Sequence, residues 1–196
     1  PDKVAIQLND THPTLAIPEL MRILLDECGY DWEAAFDICQ RTFAYTNHTV
    51  MSEALEKWSI DIFKMTLPRI YTIVQEMDRR CRAALEQAFP GDQGKIDYMA
   101  ILGDGQVRMA NICCYVCHSI NGVSKLHSEI IKDSVFHDYY LYKPQAFKNV
   151  TNGIAYRRWL LAGNPALTKL LCDVIGPGFK HDASQLSRLA AFKNDR

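Results

Sequence analysis

Apolar runs along this chain are short and stop abruptly at polar clusters. Lys3 to Leu8 is rich in β-branched residues and only weakly alternating, and it gives way to Asn9-Asp10-Thr11-His12. Such a run predicts a strand covered on both faces of a parallel sheet. Phe43-Ala44-Tyr45-Thr46 has the same shape and runs into Asn47-His48-Thr49-Val50. Ile112 to Cys117 reads as a third strand, ending at His118-Ser119-Ile120-Asn121-Gly122, and Asn149-Val150 as a fourth, ending at Thr151-Asn152-Gly153. Helical spacing fills the intervals. Ile17, Leu20, Met21, Leu24 and Leu25 form one stripe that ends before Gly29, and a second helix starts at the N-cap Asp31. Strand, helices, strand is the crossover unit of a parallel α/β sheet.

Beyond Ser52 the pattern is helical for a long way. Glu53 to Trp58 predicts a short helix, and Ile60 to Phe89 a longer one broken at Pro68. The stripe of the long helix does not keep heptad register, so it packs on the sheet and makes no coiled coil. Arg79, Arg80 and Arg82 read as its solvated face. Met99 to Leu102 and Val107 to Ala110 flank Gly103-Asp104-Gly105, a hairpin signal. That Gly-x-Gly lacks the third glycine of a dinucleotide fingerprint. A further helix is expected from about Val123 to Lys132. After Val150 three helical pieces follow, Arg157 to Leu161, Pro165 to Ile175 and Ala183 to Phe192, with Asn164-Pro165 as a start signal and Gly176-Pro177-Gly178 as a stop.

Composition narrows the function classes. The 196 residues are 48% hydrophobic and 23% charged, with a formal net charge of −1. That balance gives no electrostatic reason to expect nucleic acid or an anionic membrane as partner. No apolar run approaches the ~20 residues of a membrane span. Seven cysteines, an odd number, suit a reducing compartment better than a disulfide framework. The chain opens on Pro1, without an initiator methionine, and is read as an internal fragment.

Two groups of residues carry candidate chemistry. Cys114-Tyr115-Val116-Cys117-His118 spells the C-x-x-C-H of haem attachment, and Cys113 would extend it to a zinc set. Strand alternation would put Cys114 and Cys117 on opposite faces, which favours space-filling thiols. The second group is Asp10, His12, His48 and Glu53 at strand ends, where ligands of open α/β sheets bind. These residues suit acid–base work, with Asp10 and Glu53 as an imaginable carboxylate pair, and they equally suit capping and turn chemistry.

At these residues a resemblance becomes specific. Val4 to Pro13, Ala44 to Val50, Asn121-Gly122-Val123, His127 to Ile130, Thr151 to Ile154 and Arg157 to Leu160 together resemble the α-glucan (glycogen or starch) phosphorylases, in the right order over essentially the whole chain. The resemblance implies retaining phosphorolysis of terminal α-1,4-linked glucose to glucose 1-phosphate, in a cytoplasmic homodimer built from two Rossmann-like domains. Residues 1–150 would be the latter half of the first domain, and 151–196 the beginning of the cofactor-binding second. Such enzymes carry pyridoxal phosphate on a lysine, expected beyond Arg196, so these residues alone are expected to be inactive.

By motif, the His48 imidazole would bind the glucose 6-hydroxyl, and its carbonyl would face the anomeric centre. Asp10, His12 and Glu53 would line the pocket, with Asn47 and Thr49 in support. Val123, Asn152 and Gly153 would contact the sugar, and Trp159 the cofactor. The chain departs from the family at Val116-Cys117 (usually Gly-Ser), Ala155-Tyr156 (usually Thr-Pro) and Ser52 (commonly proline), which leaves the glucan preference open. The alternative is an inactive glucan-binding module on the same fold.

Overall fold

A computed structural model describes residues 1–195. The chain divides into two compact units, Pro1–Thr151 and Asn152–Arg196. In the first, four parallel strands lie in the order β1 (Ile6–Asn9), β2 (Phe43–Thr46), β6 (Ser119–Gly122), β7 (Phe147–Asn149). Each crossover steps in the same direction along the sheet, and right-handed crossovers then gather their helices on one face. Leu8, Phe43, Tyr45, Ile120 and Phe147 point into that face and are buried. The alternate residues Gln7, Asn9, Thr46, Asn121 and Lys148 make the other face polar. The expectation that β1 is covered on both faces is corrected, because Gln7 and Asn9 are exposed and even Ile6 is 38% exposed at this edge strand.

The helices follow their sequence signals closely. α1 (Ala16–Arg22) continues as a π-helical turn, Ile23–Glu27, and stops before Gly29, whose φ of 71° a side chain would resist. α2 (Trp32–Thr42) starts where Asp31 accepts from Ala34 N at 2.8 Å. After α3 (Ile60–Thr66), α4 (Pro68–Ala88) begins on its proline and buries Ile70, Ile73, Met77, Cys81 and Leu85. On its outer side Arg79 and Arg80 pair with Glu76, and Arg82 with Asp78 and Asp97. The Asp104-Gly105 turn, with φ of 52° and 71°, closes β4 (Leu102–Gly103) onto β5 (Gln106–Arg108), and β3 (Lys57–Ser59) pairs with β5.

Two predicted elements are different in type. Ile112 to Cys117 is not a strand: it belongs to α6 (Met109–Val116), and the true strand is displaced to Ser119–Gly122. A fully buried run has no polar face to reveal its period, so helix and strand look alike in sequence. Glu53 to Trp58 is not a helix but a 3-10 turn, Ser52–Ala54, followed by β3. Trp58 pairs with Val107 in the hairpin sheet, a long-range partner that overrides local helical preference. α5 (Gln93–Met99), α7 (Lys125–Ile130) and α8 (His137–Tyr142) complete the first unit.

In the second unit α9 (Pro165–Ile175) is capped by Asn164, which accepts from Leu167 N at 3.1 Å, and it ends at Gly176 with φ of 84°. Leu171, Ile175 and Phe179 form its small core.

Candidate active site

The carboxyl ends of the four parallel strands are level, since Asn9 registers with Thr46, Thr46 with Asn121, and Gly122 with Asn149. A chain of side chains ties the first three of them, β1, β2 and β6, together on the polar face. Gln7 Nε2 donates to Thr46 Oγ1 at 2.7 Å, and Thr46 Oγ1 donates to Asn121 Oδ1 at 2.8 Å. These bonds fix the spacing of the loops that follow.

Asp10 leaves β1 with φ of 63°, left-handed for a non-glycine residue, while its N–H still donates to Thr46 O at 2.9 Å. Asp and Asn tolerate that region because a short polar side chain can bond locally. Here the carboxylate accepts from Thr11 N at 2.9 Å. His12 is exposed, with Nδ1 3.9 Å from Glu56 Oε2. Glu56 also accepts from Thr11 Oγ1 at 3.2 Å and from Trp58 Nε1 at 2.9 Å. The carboxylate that joins this loop is therefore Glu56. Glu53 lies on the exposed 3-10 turn, with Ser52 Oγ at 3.5 Å, and the structure shows no Asp10–Glu53 contact.

After β2 the chain holds itself rigidly. Asn47 is fully buried; its N–H donates to Asn121 O at 2.9 Å and its Nδ2 to the Tyr45 hydroxyl at 3.1 Å. Burial holds the Tyr45 phenol well above the usual range, so that hydroxyl keeps its proton. Asn47 Oδ1 accepts the Thr49 N–H at 3.0 Å. Because a trans peptide points its C=O away from its N–H, that bond fixes where the His48 carbonyl points. The His48 ring is exposed, and its Nε2 hydrogen-bonds Asn9 Oδ1 across to the β1 end. Val123, half-buried, begins the loop after β6.

In the second unit Asn152 and Gly153 are exposed, and nothing lies within 4 Å of a Cβ placed on Gly153. Trp159 is 67% exposed on the turn Arg157–Ala162. Thus the structure gathers Asp10, His12, Asn47, His48 and Thr49 at adjoining strand ends and leaves Glu53 on the rim. Sequence reading missed Glu56, hidden one helical turn past Glu53 in a segment taken for helix, and the contribution of Asn9.

The cysteine motif is corrected in its geometry. Cys113 and Cys114 lie on α6 and Cys117 caps it, so strand alternation does not separate them. All three are fully buried, and burial pushes the Cys114 and Cys117 thiols well up. Among the described residues no group of three or more His, Cys, Asp or Glu is placed to hold a metal ion.

The model of the carbohydrate phosphorylase family matches residues 1–196. The chain belongs to that family. It is 48% identical over its whole length to the brain-form glycogen phosphorylase of Rattus norvegicus and to the muscle form of Homo sapiens. It is 49% identical to the glycogen phosphorylase of Bacillus subtilis (strain 168) over 98% of its length. In each case the match covers 24% of the relative. This stretch of a carbohydrate phosphorylase has the parallel sheet flanked by helices expected of it, and no helix among the described residues is long and apolar enough to cross a membrane.

Proposed function

We propose that the protein carrying this chain is a cytoplasmic, homodimeric α-glucan phosphorylase, releasing glucose 1-phosphate from α-1,4-glucan and inorganic phosphate with retention. One observation carries the reading: the Asn47–Thr49 bond fixes the His48 peptide at the level strand ends of a carbohydrate phosphorylase sheet. A carbonyl dipole held in place costs no reorganisation as positive charge develops at the anomeric carbon, so it stabilises the transition state selectively. The exposed His48 imidazole binds the 6-hydroxyl, oriented from behind by Asn9. Asp10, His12, Thr49 and Val123 line the sugar pocket, Glu53 borders it, and Asn152 and Gly153 carry the family's remaining sugar motif. Seven free thiols suit a cytoplasmic setting.

Residues 1–150 would form the latter half of the N-terminal Rossmann-like domain and 151–196 the start of the cofactor domain. Pyridoxal phosphate, when bound, supplies a phosphate group for proton transfer beside the substrate phosphate. The part of this chain that would hold it is Trp159. Its indole is free to stack, and the exposed Arg157 and Arg158 beside it suit an anionic aromatic group.

The test is phosphorolysis by the whole protein. Glucose 1-phosphate release is expected, and His48→Ala should lower kcat/KM by about 100-fold or more. Glucan binding without turnover in the wild type would instead identify an inactive binding module.

A further inference from the structure

We infer that His127 is a positioning residue for this reaction, clamping the loop after β2 to the loop after β6; the inference rests on the phosphorylase reading above. His127 is half-buried between Thr49 and Val123. The Val123 N–H donates to His127 Nδ1 at 3.1 Å, and His127 Nε2 lies 3.3 Å from Thr49 O. A nitrogen that accepts from an amide carries no proton, so the ring is the neutral Nε2–H tautomer, donating to the Thr49 carbonyl. Both loops thereby share one rigid ring, across 78 residues of sequence.

The ring is itself tightly placed. The His127 N–H donates to the cap Ser124 Oγ at 3.1 Å. A Cβ on Gly122 would meet the Ser128 backbone N and Cα at 2.9 Å, so only glycine lets α7 come close enough to present His127 to both loops. Ser128 Oγ lies 2.9 Å from Asn149 Oδ1, which ties the same helix to the end of β7.

The consequence falls on His48. Asn47 holds the Thr49 N–H, in the His48–Thr49 peptide, and His127 holds the Thr49 carbonyl, in the next one. Two consecutive peptide planes are thus pinned, the one that carries the proposed dipole and the one after it. Without His127, the Thr49 backbone keeps one anchor of two, its hydroxyl still accepting from Met51 N at 3.1 Å, and the His48 carbonyl gains freedom to swing.

The experiment uses the whole protein with three variants, His127→Ala, His127→Gln and His127→Asn. His127→Ala should speed amide exchange at Val123 and in residues 46–52 while leaving α4 protected as in the wild type. It should lower kcat by ~10- to 100-fold, the scale of a sub-ångström to ångström misplacement, with KM for glucan changed less than about twofold. A Gln amide reaches the Thr49 carbonyl and an Asn oxygen only the Val123 N–H, so Gln should recover more kcat than Asn. A purely structural role would not produce that order. Unchanged loop exchange, kcat within twofold of wild type, or equal values for Gln and Asn would overturn the inference. Should His127→Ala fail to fold, the Gln–Asn contrast decides. A wild type that releases no glucose 1-phosphate would overturn the phosphorylase reading, while loop exchange would still decide whether the clamp exists.

Discussion

Two regions of this molecule advertise chemistry, and only one is built to perform it. The segment Cys113 to His118 spells a recognisable reactive motif, yet Cys113, Cys114 and Cys117 are fully buried and Cys113 Sγ rests 3.2 Å from the Thr14 hydroxyl. The strand ends spell no short catalytic motif, yet His12 and His48 are exposed above a layer of buried, mutually bonded groups. The difference lies in how solvent and hydrogen bonds are distributed. Reactive side chains need access and a fixed support, whereas α6 keeps its thiols from water, and the favourable charge of nearby Lys143 does not offset the cost of burying a thiolate.

The comparison breaks most decisively at Asn47. Asn47→Leu removes both the acceptor for Thr49 N–H and the donor to Tyr45, and kcat/KM of the whole protein should fall by about 100-fold or more. A value within threefold of wild type would reduce Asn47 to packing.

The next effect concerns the thiol side. Burial pushes Cys39 and Cys81 from the ordinary 9.0 up to about 12, with Asp78 adding to the rise at Cys81. The folded state therefore binds protons that the unfolded chain has released. Stability is fully present below pH 9 and declines as pH rises toward 12, by about 1.4 kcal/mol per pH unit for each thiol. Urea midpoints at pH 8 and pH 10 measure this, and Cys39→Ala with Cys81→Ala should flatten the slope.

Cys114→Ser sharpens the contrast further, placing a hydroxyl in an apolar site at a cost of about 1–3 kcal/mol, with kcat/KM unchanged. In a matching labelling experiment, a thiol reagent should modify the exposed Cys28 first and the α6 thiols only on unfolding. The smallest effect is expected at Glu56→Gln. It keeps an acceptor for Trp58 and loses charge-assisted strength toward Thr11 and the exposed His12, about 1 kcal/mol or roughly fivefold in KM.

How much of this was legible follows from the range of each interaction. The caps at Asp31 and Asn164, the stops at Gly29 and Gly176 and the Asp104-Gly105 turn are local devices, and each stands where its residue type predicts. The polar ends of β1 and β2 were legible too, because a parallel sheet brings such ends together, whereas Ser119 to Gly122, read as a strand end, is the strand β6 itself. α6 was misread because uniform burial erases periodicity, and Glu56 because its partner Thr11 lies 45 residues away. The His127 motif was visible in sequence, but its bridging geometry depends on a loop 78 residues distant.

Gly122 carries a consequence for the order of assembly. Its missing side chain leaves room only for a hydrogen between β6 and α7, so the two surfaces mate only when both are already in place. The pairing of β6 with β2 joins residues 75 apart, and contacts of such separation are slow to form. The junction that presents Val123 and His127 is therefore expected to close late, after α1, α2 and α4 have collapsed. A substitution at Gly122 would show itself first in refolding rate and in trapped intermediates.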